Sequence, residues 1–466
     1  MQLSHNEENN FSLTRFESML KTNDVLFFDS NEFENIIHHY LEIGKINLAK
    51  KAVKLGLSQH PTSTNLKLLK VEILVFEDKL ELADSLLNEV QVLEASNEEV
   101  YIQKAQILSK RDQHEKAIQV LKMALEVTEE EAEIYSMIGM EYLFMEDFKN
   151  AKLNFMKCLE TDEEDYSALY NVMYCFDFLD EKEKAIEYLN SYLNKNPYCE
   201  VAWHQLGKQY FDLKEYKKAY TAFDFAIISD ELFIGAYMEK GKVLEKMERY
   251  AEAIENYEIT LQLDDPTSFA YLRIGKCYDK LGIQKSALKY YRKTVHEDPL
   301  LDKGWIAITD YYFKNKNYKK ALYYINKAIN IDEENVLYWK RYAKINTRLE
   351  FYLEAEQGFK KTLDLGNYEL DTWLKRCDTL IILEEFDTAI KNLKQAVEFY
   401  PDSPEIEYRL SGLYFKINKS EEAYEHLING LELDSEFIII IEELFPEIFS
   451  RKSVQKLIKS YQKASD

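Results

Sequence analysis

Nucleophiles, bases and metal ligands in this chain come from five cysteines, eight histidines and a surplus of carboxylates, and their spacing decides what chemistry they can do. Cys158, Cys175, Cys199, Cys277 and Cys377 are odd in number and include no C-x-x-C pair. That pattern predicts free, buried thiols in a reducing compartment rather than a disulfide framework or thiolate metal site. His114-Glu115 opens like a zinc-protease motif, which needs a second histidine four residues after the first. That position holds Ile118. His38 and His39 are neighbours on one predicted helix and so point in different directions, which suits packing or solvent better than a shared metal. The acidic run Asp162 to Asp165 reads as a solvated loop rather than calcium ligands. Phosphate-loop, dinucleotide and nucleophile-elbow glycine motifs are all missing from the sequence. The expectation is therefore no catalytic residue, no metal and no cofactor: a protein that is not an enzyme.

If function is not in reactive side chains, it must lie in a surface, and the composition says what kind of element displays it. Thirteen glycines and seven prolines in 466 residues are about 4%, against about 12% in ordinary chains. So few turn formers disfavour sandwiches, propellers and doubly wound sheets and leave helix as the default. Lys plus Arg total 59 against 83 Asp plus Glu, a net charge of -24, which argues against nucleic-acid or anionic-membrane binding by the surface as a whole. The first residues carry no basic and then apolar leader, and the longest apolar candidate, Phe437 to Ile441, is too short to span a bilayer. Cytoplasm is the expected location, with no membrane partner.

Self-similarity organises the rest. Alanine recurs every 34 residues at Ala49, Ala83, Ala117, Ala151, Ala185, Ala219, Ala253, Ala287, Ala321, Ala355, Ala389 and Ala423. With this alanine at position 20, twelve units tile residues 30–437 without insertion. All four tryptophans, Trp203, Trp305, Trp339 and Trp373, fall at position 4. Position 8 is glycine at Gly139, Gly207, Gly241 and Gly275, and position 24 is apolar throughout. Positions 4, 7, 8 and 11 share one helical face, as do 17, 20, 24 and 27. Each unit is thus predicted to be two antiparallel amphipathic helices, A and B. Small residues at 8 and 20 would let the backbones approach, with aromatics at 4, 11 and 24 beside that contact. One hairpin cannot bury both faces, so the units must stack.

The stretch from Ala202, with W-x2-LG-x2-Y followed by A-x3-F-x2-A, closely resembles the tetratricopeptide repeat (TPR) family. Departures occur at Ile37, Val71 and Met173 in position 8 and at Lys67, Leu169 and Glu407 in position 4. The resemblance implies an all-α fold: a right-handed superhelical α-solenoid of stacked antiparallel helix hairpins. It also implies a non-catalytic scaffold for protein binding, holding partner peptides or helices in a concave groove lined by helix A at positions 2, 5, 6, 9, 12 and 13. In repeats 8–10 those columns carry Arg273, Lys276, Lys280, Lys303, Lys314, Lys340, Arg341, Lys344 and Arg348, opposed by Asp279 and Asp310. An acidic peptide or a partner's C-terminal tail is the expected ligand, unless Lys276 and Asp279 pair within the helix or the stripe meets acids of the neighbouring repeat. The family's clamp for a terminal carboxylate is not supplied by any three successive repeats. Repeats 1–5 carry acidic groove columns together with large apolar residues such as Leu68 and Leu69, and in repeats 3–5 Ile102, Met137, Met140, Tyr170 and Tyr174 make a second, apolar candidate. The competing reading is nucleic acid or polyphosphate on the basic groove.

The ends are expected to cap the array: residues 1–29 as a tail and short amphipathic helix, with Asp29 as N-cap and Glu32 three residues on, and 438–466 as capping helices. Six of the seven prolines mark repeat boundaries, and the seventh, Pro446, marks where the periodicity stops.

Overall fold

A computed structural model describes residues 2–22, 26–263 and 267–465, and among these it contains helices and no strand. Two compact units are formed, Met1–Glu231 and Leu232–Asp466. The first holds the N-terminal helix Gln2–Thr22 and repeats 1–6; the second holds repeats 7–12 and the C-terminal helices. Helix pairs occur where the periodicity places them, from Ser30–Glu42 with Ile46–Gln59 in repeat 1 to Pro404–Lys416 with Ser420–Leu433 in repeat 12.

Each hairpin turns through the same backbone device. Position 15 adopts positive φ in all twelve repeats: at Gly44 and Gly282, and at ten other residues such as Asp78 (59°), Glu146 (58°), Lys214 (61°) and Asn418 (60°). The N–H of position 16 then donates to the carbonyl of position 11, from Lys45 to Tyr40 at 2.8 Å through Lys419 to Tyr414 at 2.9 Å. This left-handed residue followed by a six-to-one hydrogen bond ends helix A and satisfies a carbonyl that would otherwise be orphaned. Glycine scarcity hid the motif in the sequence, since only two of the twelve positions use glycine. What the column does show is Asp, Glu, Lys or Asn wherever glycine is missing.

Every alanine at position 20 is fully buried. Position 8 approaches the position-20 backbone as expected, with the Ser411 hydroxyl donating to the Ala423 carbonyl at 2.8 Å, and it also serves a ring. A Cβ on Gly207 would lie 2.6 Å from the ring of Phe223, and on Gly241 2.5 Å from that of Tyr257; Gly139 and Gly275 meet Phe155 and Tyr291 in the same way. The glycine makes room for the position-24 ring of its own hairpin. Where position 8 carries a side chain, position 24 is aliphatic, as in Ala105 with Leu121 and Cys377 with Leu393. Ala343 with Phe359 departs from this rule, and there Gly358 gives way instead: a Cβ on it would lie 2.9 Å from that of Ala343. A buried ring of this size contributes several kcal/mol in transfer and dispersion energy, so the coupled columns preserve core volume at each hairpin.

Position-4 aromatics also tie successive repeats. The indole N–H groups of Trp203, Trp305 and Trp339 donate to the carbonyls of Pro197, Pro299 and Glu333, each at 2.8 Å and each at position 32 of the preceding repeat.

The N-terminal helix starts upstream of Phe11, where the apolar spacing begins, and buries Phe16 and Met19 against repeat 1. Gln59 holds the linker down by donating to the Leu26 carbonyl (2.8 Å) and accepting from the Phe28 N–H (3.1 Å). Glu32 accepts from the Asp29 N–H at 2.9 Å, as the predicted cap requires. At the other end a short helix, Ile439–Leu444, follows repeat 12, and Phe445 turns its ring onto Gly412. The last helix, Lys452–Ser465, seats Val454 and Ile458 on the final core.

Candidate functional site

Helix A of repeats 8 (Ser268–Lys280), 9 (Asp302–Lys314) and 10 (Val336–Arg348) carries the nine predicted cations, and the structure sorts them into two groups. Four are met by carboxylates. Arg273 lies 3.4 Å from Glu245, Lys314 lies 2.9 Å from Asp279, Arg341 forks onto Asp310 at 3.0 and 3.3 Å, and Lys340 bonds Glu369. The Lys276–Asp279 pair allowed by helical spacing is not made, because Asp279 turns to Lys314 and to the Gln284 amide at 3.0 Å. Lys276, Lys280, Lys303, Lys344 and Arg348 have no ion-pair partner among the described residues.

The neutralising geometry repeats. Arg341 at position 6 reaches Asp310 at position 9 of the preceding repeat, and Arg409 reaches Asp378 at 2.7 and 3.1 Å with the same offset. Two of the partners, Glu245 and Glu369, lie outside the helix A segments from which the basic columns were counted. Comparing column 6 with column 9 one repeat earlier was the signal available to find the Asp310 and Asp378 pairs.

A cavity of about 540 Å³ opens between these helices. It brings together Lys276, Lys303, Lys314 and Arg341 with Asp279 and Asp310, over an apolar floor that includes Ile306, Ala307, Tyr311 and Leu337. Arg273, Lys280, Lys340, Lys344 and Arg348 lie outside its lining. Partial desolvation, and then the neighbouring Arg273, hold the Lys276 ammonium below the usual lysine range. Lys344 is lowered likewise, by desolvation and then by Lys375. The cavity therefore has excess positive potential at one wall and apolar contact area at the other, an arrangement for non-covalent capture of an anion that also carries side chains.

The apolar candidate is only partly assembled. Ile102 is 8% exposed and belongs to the core of repeats 3 and 4, and Leu68 and Leu69 are buried as well. These three sit at groove columns in the sequence frame, yet the neighbouring repeat covers them. Met137 is half-buried, whereas Met140, Tyr170 and Tyr174 are exposed. Tyr174 packs edge-on to Phe148 (6.1 Å) and near Phe178 (5.9 Å). Burial, and then the like charges of Glu72 and Glu133, push the Glu99 carboxyl up against the pull of its hydrogen bond from Gln103.

All five cysteines are buried and unpaired, and desolvation pushes Cys158 up to about 12, Cys175 to about 11 and Cys277 to about 12. His114 bonds Glu141 at 2.8 Å and stacks on Phe144, so it serves packing between repeats 3 and 4. Among the described residues no cluster of three or more potential metal ligands occurs, and no helix is long and apolar enough to cross a membrane.

Three stretches of the chain match the tetratricopeptide-repeat family: 98–131 with 132–165, 167–197, and 238–301. Over 80 residues the chain is 32% identical to neutrophil cytosol factor 2 of Mus musculus, which covers 17% of this chain and 15% of that protein's length. Among solved structures, the APC/C hetero-tetramer Cut9-Hcn1 aligns over 88% of this chain and 94% of that one, with 14% identity and a TM-score of 0.38. The MamA protein aligns over 37% of this chain and 94% of its own, with 27% identity and a TM-score of 0.33.

Proposed function

The chain is a tetratricopeptide-repeat protein, and from that premise we propose that it is a non-catalytic scaffold that holds an acidic segment of a protein partner against repeats 8–10. The observation that carries this reading is the 540 Å³ cavity, in which Lys276 and Lys303 stand without a carboxylate partner among the described residues above an apolar floor. Two carboxylates of the ligand would take these two ammonium groups, and its apolar side chains would cover Ile306, Ala307 and Leu337. Lys314 and Arg341 are already engaged and hold the cavity's shape rather than supplying free charge. The five unpaired thiols fit a working place in the reducing cytoplasm.

An Asp- and Glu-rich peptide titrated calorimetrically into the full chain tests this. The double reversal Lys276→Glu/Lys303→Glu should weaken binding by roughly tenfold or more, while reversal of the engaged Arg341 should matter less. Equal losses from both would sink the assignment. An anion beside Lys276 restores its missing counter-charge and raises its pKa, so binding should take up protons at alkaline pH, and affinity should fall as pH rises through the lowered Lys276 value. A peptide site with an apolar floor should keep most of its affinity between about 50 and 200 mM salt, whereas a nucleic acid held by phosphate contacts would lose several orders of magnitude.

A further inference from the structure

A second basic surface lies on the other helix of the same repeats, and nothing in the groove reading uses it. Helix B of repeat 8, Gln284–Glu297, exposes Lys285, Lys289, Arg292 and Lys293 at positions 18, 22, 25 and 26. Helix B of repeat 9, Tyr318–Ile329, exposes Lys319 and Lys327 at positions 18 and 26. At 1.5 Å rise per residue, Lys285, Lys289 and Lys293 stand about 6 Å apart along one row. Glu297 is the sole acid on these two helices.

Whereas four of the nine groove cations are ion-paired, none of these six has a carboxylate partner among the described residues. Their contacts are aromatic or hydroxyl: Lys293 lies over Tyr271 (4.9 Å) and Tyr290 (5.1 Å), Lys327 over Tyr323 (5.5 Å), and Arg292 donates to the Tyr312 hydroxyl at 3.0 Å. Ring contacts of this kind fix the side chains without neutralising them. From 268 to 331 the chain carries 13 Lys and Arg against 5 Asp and Glu, a net of +8.

The opposite charge is concentrated in the first compact unit. Residues 1–231 hold 24 Lys and Arg against 43 Asp and Glu, net -19; residues 232–466 hold 35 against 40, net -5. Within the first unit, the loops leaving repeats 3 and 4 enclose a hollow of about 740 Å³. Glu129, Glu130, Glu131, Glu133, Asp162 and Asp165 line it, and no cation does.

We propose that the lysine row of repeats 8 and 9 docks into this acidic hollow of a second copy of the chain, so that copies join head to tail. Charge complementarity within one sequence selects this occupant: row and hollow are present in equal number in any solution of the protein. The net charge of -24 opposes association only at range, because exposed charges are screened beyond about 8 Å at physiological salt, whereas apposed lysines and carboxylates fall inside that distance. Row and hollow are different surfaces present on every copy, so mass should rise with concentration as the contact forms.

Sedimentation velocity of the full chain, from micromolar to hundreds of micromolar, tests this. At about 150 mM salt the weight-average mass should rise with concentration, and at about 500 mM salt it should fall back towards the monomer. Lys285→Glu/Lys289→Glu/Lys293→Glu should weaken association by roughly tenfold or more, as should Glu129→Lys/Glu130→Lys/Glu133→Lys. The chain carrying both triples should associate again, because the charges are exchanged rather than removed. A wild type that stays monomeric at 150 mM salt overturns the proposal, and so does a row reversal that leaves association unchanged or a combined chain that stays apart. The salt arm uses the wild type alone and so decides even if a variant fails to fold. Lys276→Glu/Lys303→Glu should leave self-association as it is, so this proposal and the peptide-groove reading fail separately.

Discussion

Repeats 8 and 9 carry lysines and arginines on both of their helices, yet the two faces are built to different ends. On helix A, part of the charge is met by acids of the preceding repeat, Arg273 by Glu245 and Lys314 by Asp279, as Arg341 of repeat 10 is by Asp310, while Lys276, Lys280 and Lys303 have no ion-pair partner among the described residues. On helix B, none of the six cations has a described carboxylate opposite, and Lys293 and Lys327 rest against rings. Stacking explains the contrast. Helix A of one repeat lies near helix A of the next, so a 34-residue pattern with Arg at 6 and Asp at 9 supplies its own counter-ions. The exposed positions of helix B face solvent, and their counter-charge has to come from outside the hairpin. Like charges counted on a sequence therefore mean little until their neighbours are known.

Substitutions along a burial gradient should sharpen that difference. Arg409 is 9% exposed, forks onto Asp378 and also donates to the Glu405 carbonyl at 3.2 Å. Arg409→Ala should lower the unfolding free energy by about 3 kcal/mol in chemical denaturation, because it leaves Asp378 without its partner. Next comes a packing counterpart in which neighbour and side chain are coupled without charge. Gly241→Ala drives a methyl to 2.5 Å from the Tyr257 ring and should cost about 1–3 kcal/mol. In a Tyr257→Leu background, which copies the Ala105 and Leu121 pairing of repeat 3, the alanine should be accommodated, and a double-mutant cycle should show strong coupling. Arg341→Ala, at a half-exposed pair, should cost no more than about 1 kcal/mol. Lys289→Ala, at the open row, should fall within about 0.5 kcal/mol of wild type. A loss at Lys289 as large as that at Arg409 would break the comparison, since it would mean that the row has a partner within the fold.

The groove illustrates how far a column count reaches. Four of the column residues, Lys276, Lys303, Lys314 and Arg341, line one cavity, because helical periodicity puts positions 2, 6, 9 and 13 on one face. The same columns put Ile102 on the groove face of repeat 3, although burial by the adjacent repeat removes it from solvent. A helix's own spacing says which residues share a face; only its neighbours say how much of that face stays open. The turn at position 15 was missed for a related reason. Its left-handed backbone is held by the six-to-one hydrogen bond and by hairpin packing, so Asp, Glu or Lys tolerates it in place of glycine.

By itself the sequence determined the period, the helical pairing, the buried alanine column and the boundaries marked by proline, because these follow from backbone chemistry and from the spacing of apolar side chains along one chain. Tertiary structure decided the rest. It decided which charges are neutralised across repeats, which apolar groove residues are covered, and that a position-8 glycine is space for a ring at position 24. Each of those is a distance between residues far apart in sequence or on separate helices, and no periodicity along the chain contains it.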